Sequence, residues 1–287
     1  MSAQTNNYVL LLGTKGGPAV YPGSAMPTSS LLVLDGHTVL VDCGLGVTRA
    51  LADHGFALSN LRTIVITHLH SDHYLELGPL LHTAWVSGLS ASVRVIGPEG
   101  LAAYWTHFIQ SMAADIELRI RDEGRPNLAE IVWIDVLEEG QTHLGTIRMD
   151  AIRNDHPPLT DSFALSFKGA RKHVVFSGDT AHLPALVELS WGADLLVHEA
   201  MLEEALADVA QKAENGDDRL MAHLERSHCS AQDAGRIASD AGVKALALHH
   251  LIPSGHADYS SAAWDAAVRQ TWGGQLFIGS DGLRIDL

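Results

Sequence analysis

Thr67-His68-Leu69-His70-Ser71-Asp72-His73 decides the reading of this chain, because four side chains that bind metals well fall within six consecutive positions. Residues 61–67 are rich in β-branched types and predict a strand, and residues 75–85 have helical character. The cluster therefore lies in a turn between strand and helix, where its side chains converge. His68 and His70, two apart in an extended segment, can point to one side, and Asp72 and His73 follow one turn further on. Neutral imidazole and carboxylate both suit zinc. Four donors this close divide more naturally between two ions than around one.

Further donors stand at other strand ends. His156 precedes the rigid pair Pro157-Pro158, Asp179 follows a strand over 173–177, and His249-His250 end a strand over 243–248. One histidine from each end and one bridging aspartate would complete two sites.

The rest of the chain reads as two strand-rich halves, each followed by helices. Strands are expected at 8–12, 30–34, 38–41 and 93–96, with Asp35-Gly36 closing a hairpin, and helices at 47–54 and 101–114. The glycine-rich run Gly13 to Gly23 lacks the spacing of a phosphate loop and reads as a plain turn. Residues 116–125 mix charge and apolar side chains without a period and read as a surface segment. The second half predicts strands at 131–134, 146–153, 163–167, 173–177, 195–197, 243–248, 275–278 and 283–285. Helices are expected at 202–213, 231–241 and 262–271, with a polar break over 214–218; Ser230 caps the second and Gly242 stops it. Such an order suggests two sheets packed together with helices outside, in one domain spanning 1–287.

Composition narrows the function classes. Of 287 residues, 46% are apolar and 18% charged, enough for a large core and too ordered a balance for a disordered chain. The formal charge of −15 suits a polyanionic partner poorly. Cys43 and Cys229 are the only cysteines, which points to a reducing compartment. The first residues lack the basic and then apolar run of a signal peptide, and no apolar run reaches membrane-span length, so a cytoplasmic protein without a membrane partner is expected.

On these residues the chain resembles the metallo-β-lactamase superfamily, whose signature is HxHxDH followed by a distant His, Asp and His. The resemblance covers almost the full length and includes Asp42-Cys43-Gly44 and Ser177-Gly178-Asp179-Thr180 in order. It implies an α+β fold, a four-layer αββα sandwich, with two zinc ions per chain; Mn2+ or Fe2+ also suit such sites. By resemblance His68, His70 and His156 hold one metal, Asp72, His73 and the last histidine hold the other, and Asp179 bridges. His250-Leu251-Ile252-Pro253 fits the pattern of the last ligand, which selects His250 over His249. His198-Glu199-Ala200 and His228-Cys229-Ser230-Ala231 resemble the ribonuclease Z branch, where the corresponding Glu and His act near the leaving group.

Two departures argue against tRNA as the substrate: no Gly/Pro- and Lys-rich arm lies between Asp155 and Glu199, and the chain is acidic. The segment 201–227 is also longer than that branch needs. The expected function is thus a dinuclear-zinc hydrolase whose metal-bridging hydroxide attacks a small-molecule ester, lactone, amide, phosphodiester or sulfate ester. Asp72 is expected at the water, with His228 and Glu199 assisting the leaving group. The alternatives are tRNA 3′ processing, an iron-dependent dioxygenase on the same scaffold, and a non-catalytic metal-binding protein. A small molecule is the expected partner rather than nucleic acid, and a homodimer is compatible with the resemblance. His223 and Arg226 are placed to reach the substrate but read rather as solvated surface, His37, His54, His107, His143, His173 and His182 as surface or structural, His82 as packed, and Trp85, Tyr104 and Phe108 as core.

Overall fold

The structure is a computed structural model, and it describes residues 7–213, 218–255 and 258–287. Two seven-stranded sheets carry the fold. The first contains β1 (Tyr8–Gly13), β2 (Ser29–Leu34), β3 (His37–Val41), β4 (Thr63–Val65), β5 (Val93–Gly97) and β6 (Val132–Val136). The second contains β7 (Gly140–Leu144), β8 (Ile147–Arg153), β9 (Phe163–Lys168), β10 (His173–Phe176), β11 (Leu195–Met201), β12 (Ala245–Ile252) and β13 (Gln275–Ile278). The last strand, β14 (Leu283–Asp286), returns to the first sheet and pairs antiparallel with β1. The strand orders are β14-β1-β2-β3-β4-β5-β6 and β13-β12-β11-β10-β9-β8-β7.

Alternation along the strands sets the layers, because successive side chains leave a strand on opposite faces. Val9, Leu11, Leu32 and Val39 pack between the sheets against Met149, Phe167, Val174 and Ala247. Leu10, Leu12, Leu31 and Leu40 point the other way, towards a helical layer. That layer includes α1 (Val47–Asp53), the single turn α2 (Ser71–Tyr74), α3 (Leu77–Val86), α4 (Leu101–Ser111), α5 (Ala113–Glu123) and the short α6 (Leu128–Ile131). The opposite face of the second sheet is covered by α7 (Ala185–Leu189), α10 (Ala231–Ala241) and α11 (Ser261–Val268). The remaining helices, α8 (Leu206–Ala213) and α9 (Arg219–Ser227), follow β11, and Leu206 and Leu224 join a small separate cluster with Met201 and Ile252. The order helix, sheet, sheet, helix is the expected four-layer α+β sandwich.

Several local expectations need correction. Residues 116–125 are not an irregular surface segment: α5 is a helix over most of them, held by Arg119 between Asp115 and Glu123 at helical spacing, each at 2.9 Å. The mixed charges that hid its period are the ones that stabilise its exposed face. β7 escaped notice because it is a polar edge strand with only Leu144 buried. β11 and β12 both run beyond the expected ends, to Met201 and Ile252, with a register shift between Glu199 and Ala200. Most of the expected polar break at 214–218 lies outside the described residues. Trp85 is fully buried, while half-buried Tyr104 and Phe108 pack on α3, where Gly78 leaves room for the Phe108 ring, so these aromatics belong to the core.

Candidate metal centre

The strand ends bring donors from five parts of the chain to one place. After β4 the chain delivers His68 and His70, and α2 then turns Asp72 and His73 inward. His156 follows β8, Asp179 follows β10, and His250 sits inside β12. The expected ligands therefore meet, in two neighbouring groups: His68, His70, His156 and Asp179 in one, Asp72, His73 and His250 in the other. Within each group the donor atoms lie within 4.8 Å of one another. Asp179 Oδ2 stands between the groups, 3.6 Å from His68 Nε2, 3.3 Å from His73 Nε2 and 3.1 Å from His250 Nε2.

The far side of several donors is fixed by the protein. Asp42 Oδ2 is 2.8 Å from His73 Nδ1, and its other oxygen accepts the Thr67 N–H at 2.8 Å. Asp42 does this from a left-handed backbone, φ 64°, an uncommon conformation for a side chain other than glycine. Gly44, two residues on, must be glycine, since a Cβ there would meet the Asp72 carbonyl oxygen at 2.4 Å. His156 donates through Nδ1 to the Ser227 carbonyl at 2.8 Å, which leaves Nε2 as its lone pair, 3.0 Å from His70 Nδ1. The Gly17 N–H donates to Asp72 Oδ2 at 2.9 Å.

Charge and burial agree with a cation site. His68 Nε2 and His73 Nε2 are buried without hydrogen-bond partners, a cost that a bound cation would remove. Burial holds His68 well below its ordinary value and His156 down at about 4, so both are neutral imidazoles. Burial works against charge on Asp72 and Asp179, yet His73 and His250 beside them keep both carboxyls below the usual range. Burial opposes charge on His73, but Asp179, Asp42 and Asp72 outweigh it and raise that imidazole, so a divalent ion there would take the place of its proton. Imidazoles around ionised carboxylates are the donor set that suits zinc or a similar ion.

The two adjacent histidines of β12 have different partners. His250 turns into the cage from a left-handed backbone, φ 46°. His249 Nε2 donates to the Gly13 carbonyl at 2.9 Å and is spoken for. Next to the cage, Glu199 and His228 form a buried pair, with His228 Nδ1 3.0 Å from Glu199 Oε2. Thr180 N–H anchors the same carboxylate at 2.7 Å. Burial opposes charge on His228, but the Glu199 carboxylate outweighs it and raises the imidazole to about 9. The His228 ring stacks on His250 at 5.4 Å and lies 5.1 Å from His156.

One participant was not visible in the sequence, and a second was weighed towards the surface. Ser227 acts through its backbone carbonyl, to which side-chain patterns are blind. His223, read as solvated surface, is half-buried on α9, with its ring 5.9 Å from His70, 5.9 Å from His156 and 5.7 Å from His228. Arg226 is exposed, as expected. No helix among the described residues is long and apolar enough to cross a membrane.

Comparison with known proteins places this geometry in a family. Residues 8–215 match the family described as the anti-Pycsar protein Apyc1. A ribonuclease Z of Mycobacterium marinum (strain ATCC BAA-535 / M) is 32% identical over 285 residues, covering 97% of this chain and 98% of that protein. Among solved structures, the metallo-β-lactamase fold protein YhfI from Bacillus subtilis aligns with a TM-score of 0.72 at 20% identity, covering 98% of this chain and all of that one. The short form of human tRNase Z aligns with a TM-score of 0.69 at 22% identity, covering 97% and 98% of the two chains. Those two structures speak to the fold, and the mycobacterial relative speaks to the branch. The chain belongs to the metallo-β-lactamase superfamily, in its ribonuclease Z-like branch, and is a hydrolase.

Proposed function

We propose that this chain is a metal-dependent phosphodiesterase. Of the bonds that a dinuclear site of this kind suits, the phosphodiester is the one cleaved by proteins named ribonuclease, and such a protein is a relative over nearly the whole length. The expectation that nucleic acid is not a partner is weakened by the same relative. The single observation that carries the reading is the Glu199–His228 pair, buried and stacked beside the donor cage.

His68, His70 and His156 would hold one divalent cation, Asp72, His73 and His250 a second, with Asp179 between them. Bound there, the cations would supply Lewis acidity to the phosphoryl oxygens and lower the pKa of a water. The protein's own residues do the rest. Gly17 N–H and the rigid turn at Asp42 fix Asp72 and His73 so that neither has to reorganise. His228, kept cationic by Glu199, donates the Nε2 proton to the departing oxygen, while its Nδ1–H stays on the carboxylate. Thr180 N–H holds Glu199 in place as the imidazole changes charge.

Precursor tRNA processing is the second reading, favoured by the mycobacterial ribonuclease Z and opposed by the −15 charge. Zinc-loaded protein should be given bis(p-nitrophenyl) phosphate, a dinucleotide, a precursor tRNA with a 3′ trailer, and p-nitrophenyl acetate. Turnover of the phosphodiesters with two metal equivalents supports the proposal. Turnover of the acetate alone would sink it, and cleavage only of the tRNA selects the second reading.

A further inference from the structure

We infer that His223 touches the substrate, accepting a hydrogen bond from a hydroxyl vicinal to the scissile phosphodiester, and so makes the site select ribonucleotides over deoxyribonucleotides. This rests on the phosphodiesterase reading above. α9 is not a loose addition to the surface: its last residue, Ser227, presents its carbonyl to His156 at 2.8 Å. One turn back, the same helix places His223 within reach of the cage, with one ring nitrogen within 4.8 Å of ring nitrogens of both His156 and His228.

The protonation of that ring follows from its neighbour. The Ser227 hydroxyl has one proton, and the Pro157 carbonyl 2.7 Å away can only accept it. Towards His223 Nδ1, at 3.3 Å, the hydroxyl oxygen is then an acceptor, so Nδ1 carries the hydrogen. In a neutral ring Nε2 is left with its lone pair, and it makes no hydrogen bond among the described residues. A lone pair repels a phosphoryl oxygen and fits an O–H. In the proposed reaction His228 gives its proton to the leaving oxygen, and His223 is its neighbour at 5.7 Å between ring centres. On a nucleotide that gives up its 3′ oxygen, the polarity this inference assigns, the hydroxyl next to the departing oxygen is the 2′-hydroxyl of a ribose. A site that offers an acceptor to a substrate hydroxyl penalises the analogue lacking it, because the acceptor is then left unpaired.

The test uses the zinc-loaded full chain and two dinucleotides that differ only in the sugar giving up the leaving oxygen, ribose or 2′-deoxyribose, with bis(p-nitrophenyl) phosphate as a sugar-free control. Wild type is expected to prefer the ribose by about tenfold or more in kcat/KM. His223→Ala should bring that ratio towards one, chiefly by losing the ribose substrate. His223→Asn, whose side-chain oxygen also accepts, should recover part of it. Metal content should be equal in all three proteins, which separates substrate contact from metal ligation. An equal fall on both sugars, or a lost metal equivalent in His223→Ala, overturns the inference and leaves the phosphodiesterase reading standing. Failure of wild type on all three phosphodiesters overturns both.

Discussion

The carbonyl oxygen of Ser227 lies 2.8 Å from Nδ1 of His156, so a helix after β11 sets the tautomer of a donor that follows β8. The Ser227 hydroxyl reinforces this by donating to the Pro157 carbonyl at 2.7 Å. Ser227→Ala removes that second tie and leaves the half-buried Pro157 carbonyl without this partner. A loss of about 1–2 kcal/mol in unfolding free energy is expected, with weaker retention of a metal at the proposed site of His68, His70 and His156. Urea denaturation and a chelator competition titration read the two effects, and an unchanged titration would show that α9 does not support the cage.

Asp42→Asn offers a cleaner probe of the opposite side. Asparagine tolerates the left-handed backbone, so the turn survives. Its amide, however, meets a His73 Nδ1 that has lost its carboxylate. Outer-shell changes of this kind cost about 10–100-fold in metal affinity, and the loss should fall on the site containing His73. Two-site binding isotherms of wild type and variant distinguish this from a general loss of fold.

The proton-donor role proposed for His228 makes its effect depend on the leaving group. A p-nitrophenolate departs without a proton, whereas a sugar alkoxide needs one. His228→Ala should therefore lower kcat on a dinucleotide by about 10²–10⁴-fold and on bis(p-nitrophenyl) phosphate far less. Glu199→Gln should follow the same pattern more weakly. Equal losses on both substrates would mean that the pair is structural.

Stability of the metal-free protein should fall on acidification. Burial holds His198 and His173 at about 4 and His249 at about 3, below the ordinary value of about 6.5. Between pH 6.5 and 4 the unfolded chain takes up protons that these folded rings refuse, so stability is present above pH 6.5 and is lost as pH falls. A fully buried ring such as His198 contributes up to about 2 kcal/mol of that loss by pH 5. Urea midpoints at pH 7.5 and 5 should show the drop, and His173→Gln should flatten it.

The readable part of the centre was the part written in side chains of fixed spacing. His68 to His73 stood out because chelation needs those residue types in one turn, and β11 and β12 stood out because their apolar runs are fully buried. The Glu199–His228 pair came from family resemblance, not from spacing. Three things stayed hidden for physical reasons. Backbone donors and acceptors, such as Gly17 N–H and the Ser227 carbonyl, carry no residue signature. α5 keeps only Ile116 buried, too little to impose a period. His223 sits on a helix whose buried residues are Leu224 and Ser227, so its orientation depends on how α9 meets the loop after β8.

The pairing of β14 with β1 bears on when this enzyme comes into being. By residue 250 a ribosome has delivered all seven proposed donors, yet the loop that steadies Asp72 still lacks its anchor. Asp281 supplies it: one carboxylate oxygen accepts the Thr14 N–H at 3.0 Å and hydroxyl at 2.8 Å, and the other accepts the Met26 N–H at 2.7 Å. Lys15 to Gly17 run directly from that anchored residue to the Gly17 N–H on Asp72. A chain cut before Asp281 thus keeps every proposed ligand but not this anchor, and it is expected to retain metal more weakly than the full chain in a chelator competition.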